Sequence, residues 1–315
     1  MRYIYGTADD DLLEGGEGGD SLYGKGGDDI IRGFAGNDVL QGSDGRDTLD
    51  GGEGGDLAFY TDKSLPVHVS LAGSEAATVY VGGIAEDTIR NIEKIISGSG
   101  DDTLVGDEQS NGLQGEGGDD VIYGKGGDDA LSGDAGNDIL DGGAGEDWAF
   151  YMDKSLPVRV TLTGSEETAT VYVGDVAEDT IRNIEGIFGG SSHDILTGDE
   201  QDNALVGWAG QDVLSGKSGS DRFVYMDPSN GGDTIQDFSS DEGDQIDLNF
   251  SLYPSDDQSL VFSESTPAPF SVWYEAAGHT KDLSVKADTD GDEKTVEFSI
   301  TLAGVTSLTA DDFIF

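Results

Sequence analysis

A nine-residue beat that keeps one register through three separate stretches limits what this chain can fold into. From Gly6 the sequence reads GTADDDLLE, GGEGGDSLY, GKGGDDIIR, GFAGNDVLQ, GSDGRDTLD and GGEGGDLAF. Each nonapeptide begins with Gly and carries Asp at its sixth place: Asp11, Asp20, Asp29, Asp38, Asp47 and Asp56. Leu13, Leu22, Ile31, Leu40, Leu49 and Ala58 stand at the eighth place. The register returns with Asp102, Asn111, Asp120, Asp129, Asp138 and Asp147, and again with Asp194, Asn203, Asp212 and Asp221. A fixed short period marks a solenoid, whose units bury their apolar sides only by stacking on neighbours.

A longer repeat lies over the short one. The segment that starts at Phe59 as FYTDKSLPVHVSLAG returns from Phe150 as FYMDKSLPVRVTLTG, and both copies run on to DTIRNIE. Val67, Val69 and Leu71 alternate with polar residues, as do Val79 and Val81, so each spacer reads as two or three short strands. From about Tyr225 the beat stops and strand-like runs with turns follow. The expected order is a roll block at 1–58, a spacer at 59–97, a second block at 98–149, a second spacer at 150–188, a third block at 189–224, and a β cap at 225–315. The cap would close the open end of the solenoid, where unpaired strand edges invite aggregation.

The spacing carries a chemistry. Glycine-rich places let six residues turn tightly, and the last three form a short strand with its eighth-place residue inward. Two units make a coil of eighteen residues, so Asp11 lies over Asp29 and Asp20 over Asp38, onward through each block. Stacked carboxylates flanked by turn carbonyls are hard oxygen ligands, which suit Ca²⁺ better than Zn²⁺ or Cu²⁺. Counting stacked pairs gives four sites in the first block, four in the second and two in the third, about ten ions in all. The charge balance agrees. Asp and Glu supply 65 residues against 16 Lys and Arg, a formal net charge of −49. Such self-repulsion opposes compaction unless cations neutralise it. It also argues against nucleic acid or an anionic membrane surface as partner. One apolar residue per nonapeptide is too little to offset the ordering of nine backbones, so ion binding and folding should be one event.

These units resemble the GGxGxDxUx nonapeptide of the RTX (repeats-in-toxin) family. The resemblance implies an all-β fold, a right-handed parallel β-roll. It also implies the ligand set: carbonyls at the second and fourth places join the Asp of one turn, with first- and third-place carbonyls and the Asp of the turn stacked on it. Thr7, Asp9 and Asp11 would thus share an ion with Gly24, Gly26 and Asp29. Gly16, Gly18 and Asp20 would share one with Gly33, Ala35 and Asp38. The segment GGDTIQDFSSDEGDQIDL is similar to the cap after the roll in serralysin-type proteases, and Asp237 within it would complete a last calcium site. The final DDFIF resembles an uncleaved type I secretion signal, which implies a bacterial protein exported C-terminus first to the exterior or cell surface. No apolar stretch follows Met1 to serve as a cleavable signal, and no apolar run is long enough to span a membrane.

Departures from the pattern are informative. Asn111 and Asn203 remove one charge from their sites, which should make these the weakest. Ala58 and Ala149 replace the inward leucine where each block ends. Asp288, Asp290 and Asp292 (DTDGDE) are spaced like a calcium loop, but Glu293 stands where an EF-hand needs Gly; a solvated acidic turn is the competing reading.

Catalytic signatures are absent. HExxH is missing and His68, His193 and His279 are isolated; GxSxG does not occur. Gly216-Lys217-Ser218 looks like a phosphate loop, yet Gly216 simply opens a nonapeptide. The sequence therefore points to a non-enzymatic, secreted calcium-binding protein that folds outside the cell. A calcium-dependent glycan- or surface-binding module, with Trp273 as stacking platform, is the alternative, and a hydrolase hidden among the carboxylates the third. Lys63 and Lys154 of the DKSLP motif read as spacer surface.

Overall fold

Two nonapeptides per coil put backbone partners eighteen residues apart, and the strand register shows that offset directly. The computed structural model describes residues 1–164, 167–248, 250, 260–277, 281–291 and 295–315. Tyr3 pairs with Ser21, Ser21 with Val39, Leu12 with Ile30 and Ile30 with Thr48, all parallel. Alternate units thus feed opposite faces, and the architecture is a parallel β-roll. The chain forms two compact units, Met1–Ala149 with Glu178–Ile184 and Phe150–Ala177 with Glu185–Phe315.

In the first unit, one face is an all-parallel sheet. Its strands run Tyr3–Tyr5, Ser21–Gly26, Val39–Asp44, Leu57–Phe59, Lys94–Ile96, Gly112–Gln114, Ala130–Ser132 and Trp148–Phe150. The other face carries Leu12–Glu17, Ile30–Ala35 and Thr48–Glu53, and there the first spacer enters. Ile84–Arg90 pairs parallel with Thr48–Glu53, then antiparallel with Ala77–Val81. Ala77–Val81 pairs antiparallel with Val67–Ser70, which returns to parallel pairing with Thr103–Val105. The first two blocks therefore share both sheets, with three spacer strands inserted into one face. Val67, Val69, Val79 and Ile89 point inward and are buried, so the alternation read from sequence becomes the spacer's share of the core.

In the second unit, Gly186–Phe188, Ala204–Val206, Arg222–Val224, Gln245–Asp247 and the C-terminal Phe313–Ile314 form one parallel sheet. Val158–Thr161, Ile195–Thr197, Val213–Ser215 and Thr234–Ile235 form the other. That sheet continues through Phe298–Leu302 into an antiparallel meander of Leu283–Asp288 and Ser271–Ala276. Trp273, in this meander, is 4 % exposed. Its side chain is core, so Trp273 is not available as a stacking platform.

The eighth-place residues form the roll's core, from Leu22 through Ala58, Leu104 through Ala149 and Leu196 through Phe223, all essentially buried. Strand length departs from expectation. The first block has six-residue strands such as Ser21–Gly26, where three residues were expected. Turns stacked at constant offset bring their own backbone groups into register, so Lys25 pairs with Ser43 and Gly26 with Asp44. Parallel pairing thus runs on into the glycine-rich turn.

Candidate metal centre

The first-place glycine decides where the sixth-place carboxylate sits. A Cβ on Gly24 would lie 2.1 Å from Oδ2 of Asp29, and one on Gly33 only 2.2 Å from Oδ2 of Asp38. The same closeness recurs between Gly42 and Asp47, Gly115 and Asp120, Gly124 and Asp129, Gly207 and Asp212, and Gly216 and Asp221. Each Asp folds back over its own turn into room that only a hydrogen leaves.

Its other oxygen reaches along the roll. Asp11 N–H donates to Oδ1 of Asp29 at 2.8 Å, Asp20 to Asp38 at 2.7 Å, Asp29 to Asp47 at 2.7 Å and Asp38 to Asp56 at 2.8 Å. In the second block Asp102 donates to Asp120, Asn111 to Asp129, Asp120 to Asp138 and Asp129 to Asp147, at 2.7–2.8 Å. In the third, Asp194 donates to Asp212 at 2.8 Å and Asn203 to Asp221 at 2.9 Å. The structure brings together each stacked pair read from the sequence.

One oxygen per carboxylate is accounted for in this way; the second is the informative one. Oδ2 of Asp29, Asp38, Asp47, Asp56, Asp120, Asp129, Asp212 and Asp221 is buried without a hydrogen-bond partner among the described residues. A buried, unpartnered carboxylate oxygen is costly, and cations are what ordinarily compensate it. Burial, together with neighbouring carboxylates, pushes these acids up: Asp120 and Asp212 to about 8, Asp129 and Asp221 to about 7, Asp47 and Asp56 to about 6. Rows of hard, anionic oxygens beside glycine-turn backbone fit Ca²⁺.

The block ends differ. Asp11 Oδ2 accepts from Thr7 N–H at 2.6 Å and the Thr7 hydroxyl at 2.9 Å, and Asp194 Oδ2 from Gly190 N–H at 2.6 Å. Asp102 Oδ2 accepts from Gly98 N–H at 3.2 Å. At Asp20 the Arg2 guanidinium takes Oδ2 at 2.9 and 3.2 Å, and Arg2 also crowds Gly16. Among the expected carbonyl donors, the Ala35 carbonyl accepts the Gly18 N–H at 2.6 Å; its second lone pair leaves a ligand role open. The Gly24 and Gly33 carbonyls lie directly under Gly6 and Gly15, and Gly26 sits in strand register over Asp44. Asp9 is exposed, its N–H on the Thr7 hydroxyl.

The Asp row also continues where sequence reading did not follow it. Asp47 N–H donates to Asp87 Oδ1, Asp138 to Asp179 and Asp212 to Asp233, each at 2.8 Å, and Asp221 to Asp244 at 3.0 Å. Asp56 N–H finds Glu93 instead. The signal was present, since GGIAEDTIR (82–90) has Gly first, Asp sixth and Ile eighth. Asp237 stands apart from the row: its carboxylate accepts from the Ser215 hydroxyl and from the N–H groups of Gly216 and Lys217. A second, exposed row runs at the fifth place with opposite polarity. Asp28 N–H donates to Asp10, Asp119 to Asp101 and Gln211 to Nδ1 of His193 at 2.7 Å, which gives that histidine a turn-stacking role. In the cap, Asp288, Asp290 and Glu297 gather their carboxylates within 4.8 Å; Asp292, Glu293 and His279 lie outside the described residues.

At the neutral positions, Asn111 Oδ1 accepts from Asp107 N–H and Asn203 Oδ1 from Asp199 N–H, both at 2.7 Å. The buried Nδ2 of Asn203 has no partner among the described residues. Replacing Asn203 with Asp adds the missing charge to the Asn203–Asp221 step. Its calcium affinity should rise roughly tenfold. Calcium titrations of parent and N203D, followed by calorimetry, check this; equal affinities for every step would refute it.

A solenoid whose stacked turns present rows of buried carboxylate oxygens defines a class, the calcium-binding parallel β-rolls. Comparison with known families places the chain within it. Residues 5–33, 23–58, 96–129 and 114–149 match the RTX calcium-binding nonapeptide repeat, and residues 171–315 match the peptidase M10 serralysin C-terminal domain. The chain thus carries RTX calcium-binding nonapeptide repeats and a serralysin-type C-terminal region. No curated protein matches it. Among solved structures it is similar to the AlgE6R3 subunit of the Azotobacter vinelandii mannuronan C5-epimerase, with 19% identity and a TM-score of 0.23, over 69% of this chain and 79% of that one. It is also similar to the extracellular lipase LipA of Serratia marcescens, with 15% identity and a TM-score of 0.18, over 99% of this chain and 40% of the lipase.

Proposed function

We propose that this chain is a non-catalytic, calcium-responsive region of an exported bacterial protein, and that it folds outside the cell when the ion arrives. The observation that carries the reading is the row of buried Oδ2 atoms without partners among the described residues, from Asp29 to Asp56, in Asp120 and Asp129, and in Asp212 and Asp221. Calcium would supply the positive charge and the multiple oxygen coordination that these carboxylates lack. The residues do the rest: first-place glycines hold each carboxylate over its turn, and each Oδ1 ties a coil to the coil before it.

Two features support export before folding. The serralysin-type match extends to residue 315, and Phe313–Ile314 is paired to Gln245–Asp247 with Phe313 buried. A C-terminal signal folded into a sheet is out of reach of a transporter, so it must be read while the chain is unfolded. Far-ultraviolet circular dichroism tests the proposal. The strand signal should appear with millimolar Ca²⁺ and vanish with excess chelator; a spectrum indifferent to chelator would sink it.

A further inference from the structure

The step from Asp47 to Asp87 differs from the regular steps beside it. Asp47 N–H reaches Asp87 Oδ1, so the Asp row is intact. The turn that should stack on Gly42–Asp47 is not intact. Gly82 and Gly83 make the tip of a spacer hairpin, and Ile84 begins a strand paired to Val81. The first- and third-place residues, Gly82 and Ile84, thus belong to the hairpin. In their place comes Lys63, read from sequence as spacer surface but only 9 % exposed at its side chain. Its Nζ donates to the Ser43 carbonyl, the second-place carbonyl of the turn, and to the Glu86 carboxylate, with Asp62 at 4.0 Å.

We infer that the Lys63 ammonium holds the place of a calcium ion at the Asp47–Asp87 step, so that this seam is closed by the chain's own cation. The inference rests on the calcium reading above. Two further observations support it. The buried side chain of Lys63 lies between two carboxylates, Glu86 and Asp62, which compensate its charge. The chain also treats the end of the row in this way, with the Arg2 guanidinium on Asp20 Oδ2.

The third seam serves as an internal control. Asp212 N–H reaches Asp233 Oδ1 just as Asp47 reaches Asp87. Aligning FVYMDPSN (223–230) with AFYTDKSL (58–65) puts Pro228 where Lys63 stands, and Asp227 caps the short 3₁₀ turn Pro228–Asn230. Pro228 brings no charge to this step, where Oδ2 of Asp212 is buried without a hydrogen-bond partner among the described residues. The Asp212–Asp233 step therefore takes an ion where the Asp47–Asp87 step takes a lysine.

Native mass spectrometry of the full chain in saturating calcium counts the ions. Lys63→Ala should bind one ion more than the parent, and Lys63→Arg the same number as the parent. Equal counts for Lys63→Ala and a calcium-binding parent would overturn the inference. Should Lys63→Ala fail to fold, anomalous maps from crystals of the parent grown in calcium decide. The expected result is a peak shared by Asp212 and Asp233 and none shared by Asp47 and Asp87. A peak between Asp47 and Asp87 overturns this inference alone, whereas a map without any calcium peak overturns the calcium reading and this inference with it.

Discussion

Replacing Gly33 with alanine should leave the first block unfolded at calcium concentrations that fully fold the parent. The new Cβ would lie 2.2 Å from Asp38 Oδ2 and 2.5 Å from the Gly51 carbonyl oxygen. Neither can yield cheaply. The carbonyl belongs to the backbone of the stacked turn, and Oδ2 belongs to a carboxylate whose other oxygen is committed to Asp20 N–H. Overpacking a tight site ordinarily costs about 1–3 kcal/mol. Here the displaced atom is also a proposed ligand, so the calcium midpoint should rise by roughly tenfold or more as folding and binding fail together. Gly55→Ala in the same block is the control. Its Cβ would meet nothing closer than 3.7 Å, and alanine there should shift the midpoint little. Calcium titrations followed by circular dichroism compare the two; coincident midpoints would show that the close approach at Gly33 is unimportant.

Acid should build strand structure in the calcium-free protein. In most proteins it destroys it. Burial first, and neighbouring carboxylates second, raise Asp120 and Asp212 to about 8. Asp129 reaches about 7 by the same causes, as does Asp221, and Asp47 and Asp147 about 6. An unfolded aspartate titrates near ~3.9. Between those values the folded chain binds more protons than the unfolded one, so stability is present at low pH and is lost as pH rises through 6 to 8. Asp28 and Asp119, held low by hydrogen bonds from Arg46 and Asn137, run the other way but are few. Dialysed free of calcium, the protein should show more strand at pH 5 than at pH 8. In calcium the order reverses, because protons and Ca²⁺ compete for the same oxygens and binding at pH 7 releases protons. Calorimetry in two buffers of different ionisation enthalpy measures that release; identical observed heats in the two buffers would refute it.

Much of this was readable because the chain's regularity is local. Gly at the first place, Asp at the sixth and Leu or Ile at the eighth each have one physical reason, and the reason repeats at nine and eighteen residues. The stacked pairs from Asp11–Asp29 to Asn203–Asp221 followed from spacing alone. Where a hairpin or loop interrupts the spacing, the eighteen-residue offset no longer says which carboxylate comes next, even though GGIAEDTIR keeps the nonapeptide pattern around Asp87. Asp47 finds Asp87 across 40 residues, Asp138 finds Asp179 across 41, and Asp212 finds Asp233 across 21. Asp237 looked like the next carboxylate in line, but the irregular cap turn gives that position to Asp233 and Asp244. Lys63 was misread for a related reason. A lysine's default is the surface, and the partners that bury it, Ser43 and Glu86, come together only once the spacer has folded back.

The hydrogen bonds of the sixth-place row all point one way. In every case the earlier residue donates its N–H and the later one, a coil or a spacer further on, supplies the carboxylate. A chain leaving the cell with its C-terminus in front therefore delivers acceptors before donors. Asp244 is outside before Asp221, Asp221 before Asn203, and the sheet edge at Gln245–Asp247 can already be closed by Phe313–Ile314. Under the proposed export, each new coil would meet a finished template already holding the carboxylates that its N–H groups need, and a docked coil would resist sliding back.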